Sequence, residues 1–337
     1  MTDAAPPASG DPRSTLPNAA SPLPETGWAK LGNRVLVRIS GPGTDKFLQG
    51  QFSQNLDEVV AGYSPRAAAA TPKGRAYCLT RVVRDGDDIV MDLDSALAES
   101  TLGQLRKYLM LFRGTSADPV TDGCIFGLFG DSDAQRLAGQ ALSELKKPGD
   151  SLALDSGYLI RVEPTAEGLS RFELWHTAGK APALDASEER SLADWQASEI
   201  AAGIAALTAQ TLEAFVPQML NWQHVGGIHF KKGCYTGQEV IARMHFLGQL
   251  KKSLYRFQLD TADAPEPGRS ILAGDRSVGS VVNSVPLKNG TCELLAVVRH
   301  DAADADLTVD GLAGQTLTPL PLPYAVPERE KSPQTDT

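Results

Sequence analysis

Apolar positions along the first 250 residues switch between a period of two and a period near 3.6, so strands and helices are expected to alternate. Arg34-Val35-Leu36-Val37-Arg38-Ile39-Ser40 alternates like a half-buried strand, and Gly41-Pro42-Gly43 breaks it before a helix expected over 45–51. Residues 76–83 and 88–93 read as two strands joined at Asp85-Gly86-Asp87, a hairpin signal. A helix is expected over 96–111, a buried strand over 123–129 and another helix over 131–145. Strands over 158–162 and 171–175 follow, and helical period returns over 192–204. The pattern is α+β. After Lys252 it changes: 253–259, 270–272, 278–282 and 294–298 are strand-like and separated by Gly, Pro, Asn or Asp, which predicts a small antiparallel barrel.

Composition adds limits. The 337 residues, 42% hydrophobic and 22% charged, suit a globular chain of one large body or two to three domains. The 32 basic and 41 acidic residues leave a net charge of −9, which counts against direct nucleic-acid binding without forbidding a local basic patch. Lys231, Lys232, Arg243, Lys251 and Lys252 are the residues that could form one, although solvated lysines at element ends are the plainer reading. Residues 1–26 are rich in Ala, Pro, Ser and Thr with Arg13 as the one cation, and 326–337 are rich in Glu, Lys, Pro and Thr; both read as disordered tails. No window is long and apolar enough to span a bilayer, so no membrane partner is expected. Cys78, Cys124, Cys234 and Cys292 form no C-x-x-C pair, which argues for a reducing cytoplasm and against a dedicated cysteine metal site. His224, His229 and His245 have no standard metal-ligand spacing, and no metal is expected there.

The most loaded run is Phe230-Lys231-Lys232-Gly233-Cys234-Tyr235-Thr236-Gly237-Gln238-Glu239. Thr236 and Glu239 have capping-box spacing, and Tyr235 with Val240 has that of a hydrophobic staple, so a helix should begin here. Capping does not explain Cys234, which precedes the positive end of that helix beside Lys231 and Lys232, an environment that favours thiolate. A small buried cysteine is the alternative.

Pro217-Gln218, Gly226-Gly227-Ile228, the 232–239 octet, Ala242-Arg243 and Gly248 together resemble the signature of the YgfZ family of folate-binding proteins, whose fold is similar to the aminomethyltransferase of the glycine cleavage system. The match continues through Ile39-Ser40-Gly41, Phe47-Leu48-Gln49-Gly50-Gln51, Pro72-Lys73-Gly74-Arg75 and Arg106-Lys107-Tyr108, and ends near Pro321-Leu322-Pro323-Tyr324. The resemblance implies a three-lobed α+β body: two interleaved α/β folate-binding lobes over 27–250 and a C-terminal antiparallel β-barrel over 251–325.

It also implies roles for residues. Cys234 is expected as the functional thiol, with Lys232 beside it, acting as nucleophile, redox sensor or transient iron–sulfur ligand. One cysteine cannot hold a cluster alone, so His229, His245, glutathione or a partner protein would complete it. Trp195 is expected to stack on a pteridine and Glu199 to hydrogen-bond its guanidine-like edge. Arg34 stands where the family has a second tryptophan, and is expected instead to pair with the glutamate tail of folate. Lys73, Tyr235, Gln238 and Arg243 complete the expected cofactor-binding set. Tyr77 or Cys78 falls where an active aminomethyltransferase has an aspartate, which counts against that enzymatic activity. The expected function is therefore a tetrahydrofolate-binding accessory protein in iron–sulfur cluster assembly or repair, with effects on tRNA modification. Expected partners are folate, iron–sulfur assembly proteins and client iron–sulfur enzymes; a monomer is expected. The alternatives are a folate-dependent one-carbon transferase or demethylase, a direct tRNA-binding factor and a structural scaffold.

Overall fold

The computed structural model describes residues 23–180, 182–246, 250–312 and 314–326; Gly248 and most of both expected tails lie outside them. In chain order the strands of the first part are β1 Gly27–Lys30, β2 Arg34–Ser40, β3 Arg66–Ala70, β4 Ala76–Asp85, β5 Asp88–Asp94, β6 Ser116–Pro119, β7 Cys124–Phe129, β8 Ser151–Leu154, β9 Gly157–Val162 and β10 Arg171–His176. Those of the last part are β11 Lys252–Leu259, β12 Ser270–Ala273, β13 Arg276–Pro286, β14 Cys292–Arg299, β15 Leu307–Val309 and β16 Thr318–Leu320. The helices are α1 Thr44–Gln51, α2 Ala98–Leu109, α3 Ser132–Ala138, α4 Leu192–Ala201 and α5 Gln238–Phe246.

The strands form three antiparallel sheets, ordered β3-β4-β5-β2-β6, β1-β7-β10-β9-β8 and β15-β12-β13-β14-β11-β16. The first two interleave: β1 belongs to the second sheet, the chain crosses to build the first, and it returns at β7. Period-two alternation explains their stacking. Val37, Ile39, Ile89 and Met91 face α1 and α2, burying Phe47, Leu48 and Leu105. Leu36, Val83 and Val90 face the other way and meet Ile125, Ile160 and Trp175 of the second sheet. Each such aliphatic side chain contributes about 1.5–3 kcal/mol by leaving water. The third sheet curls into a half-barrel around Phe257, Ile271, Val281 and Leu294, and α4 lies between its outer face and the α/β lobes. Among the described residues no helix is long and apolar enough to cross a membrane.

Three local expectations need correction. The helix expected over 131–145 stops at Ala138 and continues as a 3-10 turn over Gly139–Glu144, where glycine and polar residues interrupt the apolar stripe. The helix expected over 192–204 ends at Ala201, and Tyr324 Oη donates to the Gly203 carbonyl at 2.8 Å just beyond it. Thr236 does not cap α5. Its hydroxyl turns to the Gly50 carbonyl and Gln51 Oε1, while Gln238 Oε1 accepts from the Tyr235 N–H at 3.3 Å. A reciprocal capping box does occur at α4, between Ser191 and Asp194.

Candidate functional site

Charged residues placed inside otherwise apolar strands organise the interior. Arg66 of β3 and Arg81 of β4 are cross-strand neighbours, a repulsive pairing on its own. Glu163, which follows β9, resolves it: Arg66 donates to its two oxygens at 2.9 and 2.7 Å, and Arg81 reaches it at 3.1 Å. Burial pushes the Glu163 carboxyl up, but the two guanidinium charges more than reverse this and hold it well below the usual carboxylate range. Arg171 at the start of β10 donates to Ser198 Oγ at 2.8 Å and to the Glu163 carbonyl at 3.0 Å. Burial without a carboxylate in direct contact pulls Arg171 down to about 10.

Arg34, the first residue of β2, is the hub between this interior and a cleft. Its guanidinium pairs with Glu199 of α4, with Glu173 of β10 at 2.9 Å and with Asp92 of β5 at 3.4 Å. Burial alone would lower Arg34, but the surrounding carboxylates raise it above its ordinary value. The cleft is a narrow slot with a cavity volume of about 60 Å³. Arg34, Arg66, Asp92, Asp94 and Glu199 supply its charged lining, and Leu97, Ile204 and Leu207 part of its apolar lining. Three further lining residues carry buried polar atoms with no partner: Asn33 Oδ1, Tyr77 Oη and Trp222 Nε1. Unpaired buried donors and acceptors each cost about 1–3 kcal/mol, and a bound molecule is one way to satisfy them. Trp222 is held in place by its neighbours. Arg66 Cζ lies 5.3 Å from its ring centre, and a Cβ on Gly227 would come within 2.2 Å of the indole, so only glycine permits this packing.

The loop over 226–237 is clasped to the end of α1. Ser53 Oγ donates to the Gly227 carbonyl at 2.6 Å, Gln54 Nε2 to Gly226 at 3.0 Å, and the Thr236 N–H to Gly50 at 3.0 Å. Lys232 turns inward, donating to the carbonyls of Gln49 at 2.7 Å and Phe52 at 2.5 Å, with its ammonium 4.8 Å from the Tyr235 ring centre. These carbonyls end α1, where a helix favours a cation. Burial pulls the amine down to about 7. Tyr235 packs with Ile204 and Trp222, two cleft residues, so the loop and the slot share one apolar cluster. Cys234 is left exposed on the loop. Gly237 lies against the Lys73-Gly74 turn: a Cβ there would meet the Thr71 carbonyl at 2.5 Å.

The structure thus brings Arg34 and Glu199 together in the slot, and gathers Lys73, Lys232, Cys234, Tyr235 and Gln238 around the start of α5, with Arg243 exposed further along it. Two expected placements change. Trp195 does not line the slot; it is sealed between Phe129, Gly127 and Arg171. Its neighbour sequence is equally apolar on both helix faces, so periodicity could not tell a sealed tryptophan from a lining one. Arg34 is already paired with internal carboxylates and is not free for a ligand's carboxylate tail. Tyr77 and Cys78 do reach the slot, and burial pushes the Cys78 thiol far up, making it a poor nucleophile. Sequence reading missed Asn33, Asp92, Asp94 and Trp222; the signal available was acidic residues recurring in an apolar strand and a tryptophan just ahead of a glycine pair.

No family model matches the chain. It is 30% identical over 328 residues to the tRNA-modifying protein YgfZ of Yersinia pestis (strain Pestoides F), covering 93% of this chain and 96% of that protein. It is 30% identical over 322 residues to the tRNA-modifying protein YgfZ of Escherichia coli O7:K1, covering 93% and 97%. Among solved structures it is similar to the glycine cleavage system aminomethyltransferase T from Bartonella henselae, with a TM-score of 0.69 and 15% identity over 91% of this chain and 87% of that one, a likeness of fold.

Proposed function

The chain belongs to the YgfZ family, and from that membership we propose that it is a tetrahydrofolate-binding accessory protein in iron–sulfur cluster assembly or repair, with effects on tRNA modification. The observation that carries the folate part is the slot, in which apolar side chains and the Trp222 indole line a space that also holds carboxylates and three unsatisfied polar atoms. A pterin ring has the complementary character: apolar faces, and an edge of adjacent donors and acceptors. Glu199, ion-paired with Arg34, accepts from the amino edge; Asn33, Tyr77 and Trp222 gain partners they otherwise lack. When bound, the reduced folate supplies a one-carbon acceptor. The exposed Cys234 thiol works at the rim, with any cluster completed by a partner protein, since one thiolate is too few.

The reading is tested by isothermal titration of tetrahydrofolate under anaerobic reducing conditions against the wild type and Ala206→Trp. Ala206 lines the slot and is exposed, so a large side chain there obstructs the mouth without entering the core. Binding to the wild type that disappears in Ala206→Trp is expected; absence of binding to the wild type removes the folate premise.

A second reading, a folate-dependent one-carbon transferase, draws on Asp94. This carboxylate also lines the slot, and burial raises it above its ordinary value, as a general base requires. Turnover of tetrahydrofolate with a methylamine donor, abolished by Asp94→Asn, would establish it.

A further inference from the structure

The face of α5 beside Cys234 carries an aromatic surface that the folate reading does not use. Phe230 and His245 are stacked with ring centres 3.6 Å apart and planes 11° apart, joining the loop to the helix. Phe246 stands edge-on to both, at 4.7 Å from His245 and 6.4 Å from Phe230, and is 64% exposed. Arg243 is three residues before Phe246 and so shares its helix face; Lys231 follows Phe230 on the loop. Both cations are exposed, and neither has a carboxylate within ion-pair distance among the described residues.

We propose that this face binds unpaired nucleotides of RNA, a base stacking on Phe246 beside the Phe230–His245 pair while Arg243 and Lys231 take the flanking phosphates. Flat exposed rings next to unpaired cations are the two components of a single-strand site, because every base has a π-face and every linkage a charge. The other exposed large apolar side chains among the described residues, Val60 and, at the end of α2, Met110 and Leu111, are aliphatic and offer no such stacking face. The net charge of −9 argues against a broad electrostatic footprint, and the site drawn here does not need one: two or three phosphates suffice. The inference goes beyond the folate reading and requires nothing bound in the slot.

Fluorescence anisotropy with a labelled oligouridylate, and with its duplex with oligoadenylate, tests it on the full chain without folate. The wild type binds the single strand in preference to the duplex, and affinity falls about ten-fold on a roughly four-fold rise in salt. Phe246→Ala weakens binding roughly 5- to 150-fold, as loss of one stacked base predicts. Arg243→Glu weakens it and lowers the salt slope by about one. Phe246→Trp retains binding, and its emission is quenched by RNA. Ala206→Trp, which obstructs the slot, binds RNA like the wild type, so failure of the folate reading and failure of this one are told apart. No binding at low salt, a preference for the duplex, or indifference to Phe246→Ala overturns the proposal.

Discussion

The α/β lobes and the half-barrel solve the problem of an interior differently. The inner face of the half-barrel buries an apolar cluster, from Phe257 and Ile271 to Leu294 and Val298, and its buried Arg256, on the other face of β11, pairs with Glu167 and Glu293. Between the two α/β sheets the apolar packing of Leu36, Val90 and Trp175 is interrupted by Arg34, Arg66, Arg81 and Arg171 with Glu163 and Glu173. A buried ion network gives little net stability compared with well-packed hydrophobic side chains. What it gives here is a fixed set of directions: Glu163 and Arg171 tie the two sheets and α4, and Arg34 presents Glu199 to the slot. The lobes that carry the candidate site are therefore sensitive to the loss of single charges, and the half-barrel to the loss of volume.

The largest expected effect is at Glu163. Glu163→Ala leaves Arg66 and Arg81 buried and facing each other, and should cost about 3–5 kcal/mol in chemical denaturation. In the half-barrel, Leu294→Ala should cost about 2–5 kcal/mol through its cavity. Acid should separate the two regions. Glu163 lies below its ordinary value of 4.5 in the folded state, so its contribution is complete above that pH and is lost as pH falls towards the folded value. All four tryptophans, Trp28, Trp175, Trp195 and Trp222, belong to the α/β part, so their emission should report acid unfolding there before far-UV circular dichroism reports loss of the half-barrel strands.

An effect smaller per pH unit concerns Lys232. Its folded value of about 7 lies below the ordinary 10.5, so the unfolded chain holds the proton that the folded chain has shed. Stability should rise with pH between these values by at most about 1.4 kcal/mol per unit, and Lys232→Met should flatten that rise. The smallest effect is at Cys234: as an exposed side chain, its replacement by serine should change stability by no more than about 0.5 kcal/mol.

The alternating strands at 34–40, 76–83 and 88–93, the turn at Asp85-Gly86-Asp87 and the change of character after Lys252 were legible because they depend on local periodicity. Short strands such as β1, β3 and β6 were not, since Arg66-Ala67-Ala68-Ala69-Ala70 has no alternation and acquires strand form from its neighbours. The site was half legible. The run around Cys234 announced a special backbone, but much of its composition proves to be a clasp: Lys232 and Thr236 hold the end of α1, and Gly237 accommodates the Thr71 carbonyl. Trp222 and Trp195 could not be ranked from sequence, because their difference lies in which glycine each ring meets, Gly227 or Gly127, and in which of the two rings lines the slot.

A folate bound as proposed occupies the slot lined by Trp222 rather than the packing around Trp195. Tetrahydrofolate-dependent quenching of tryptophan emission in Trp222→Phe and Trp195→Phe tests it most directly. Quenching should be largely lost in Trp222→Phe and retained in Trp195→Phe; quenching that survives in Trp222→Phe and vanishes in Trp195→Phe would place the ligand outside the slot.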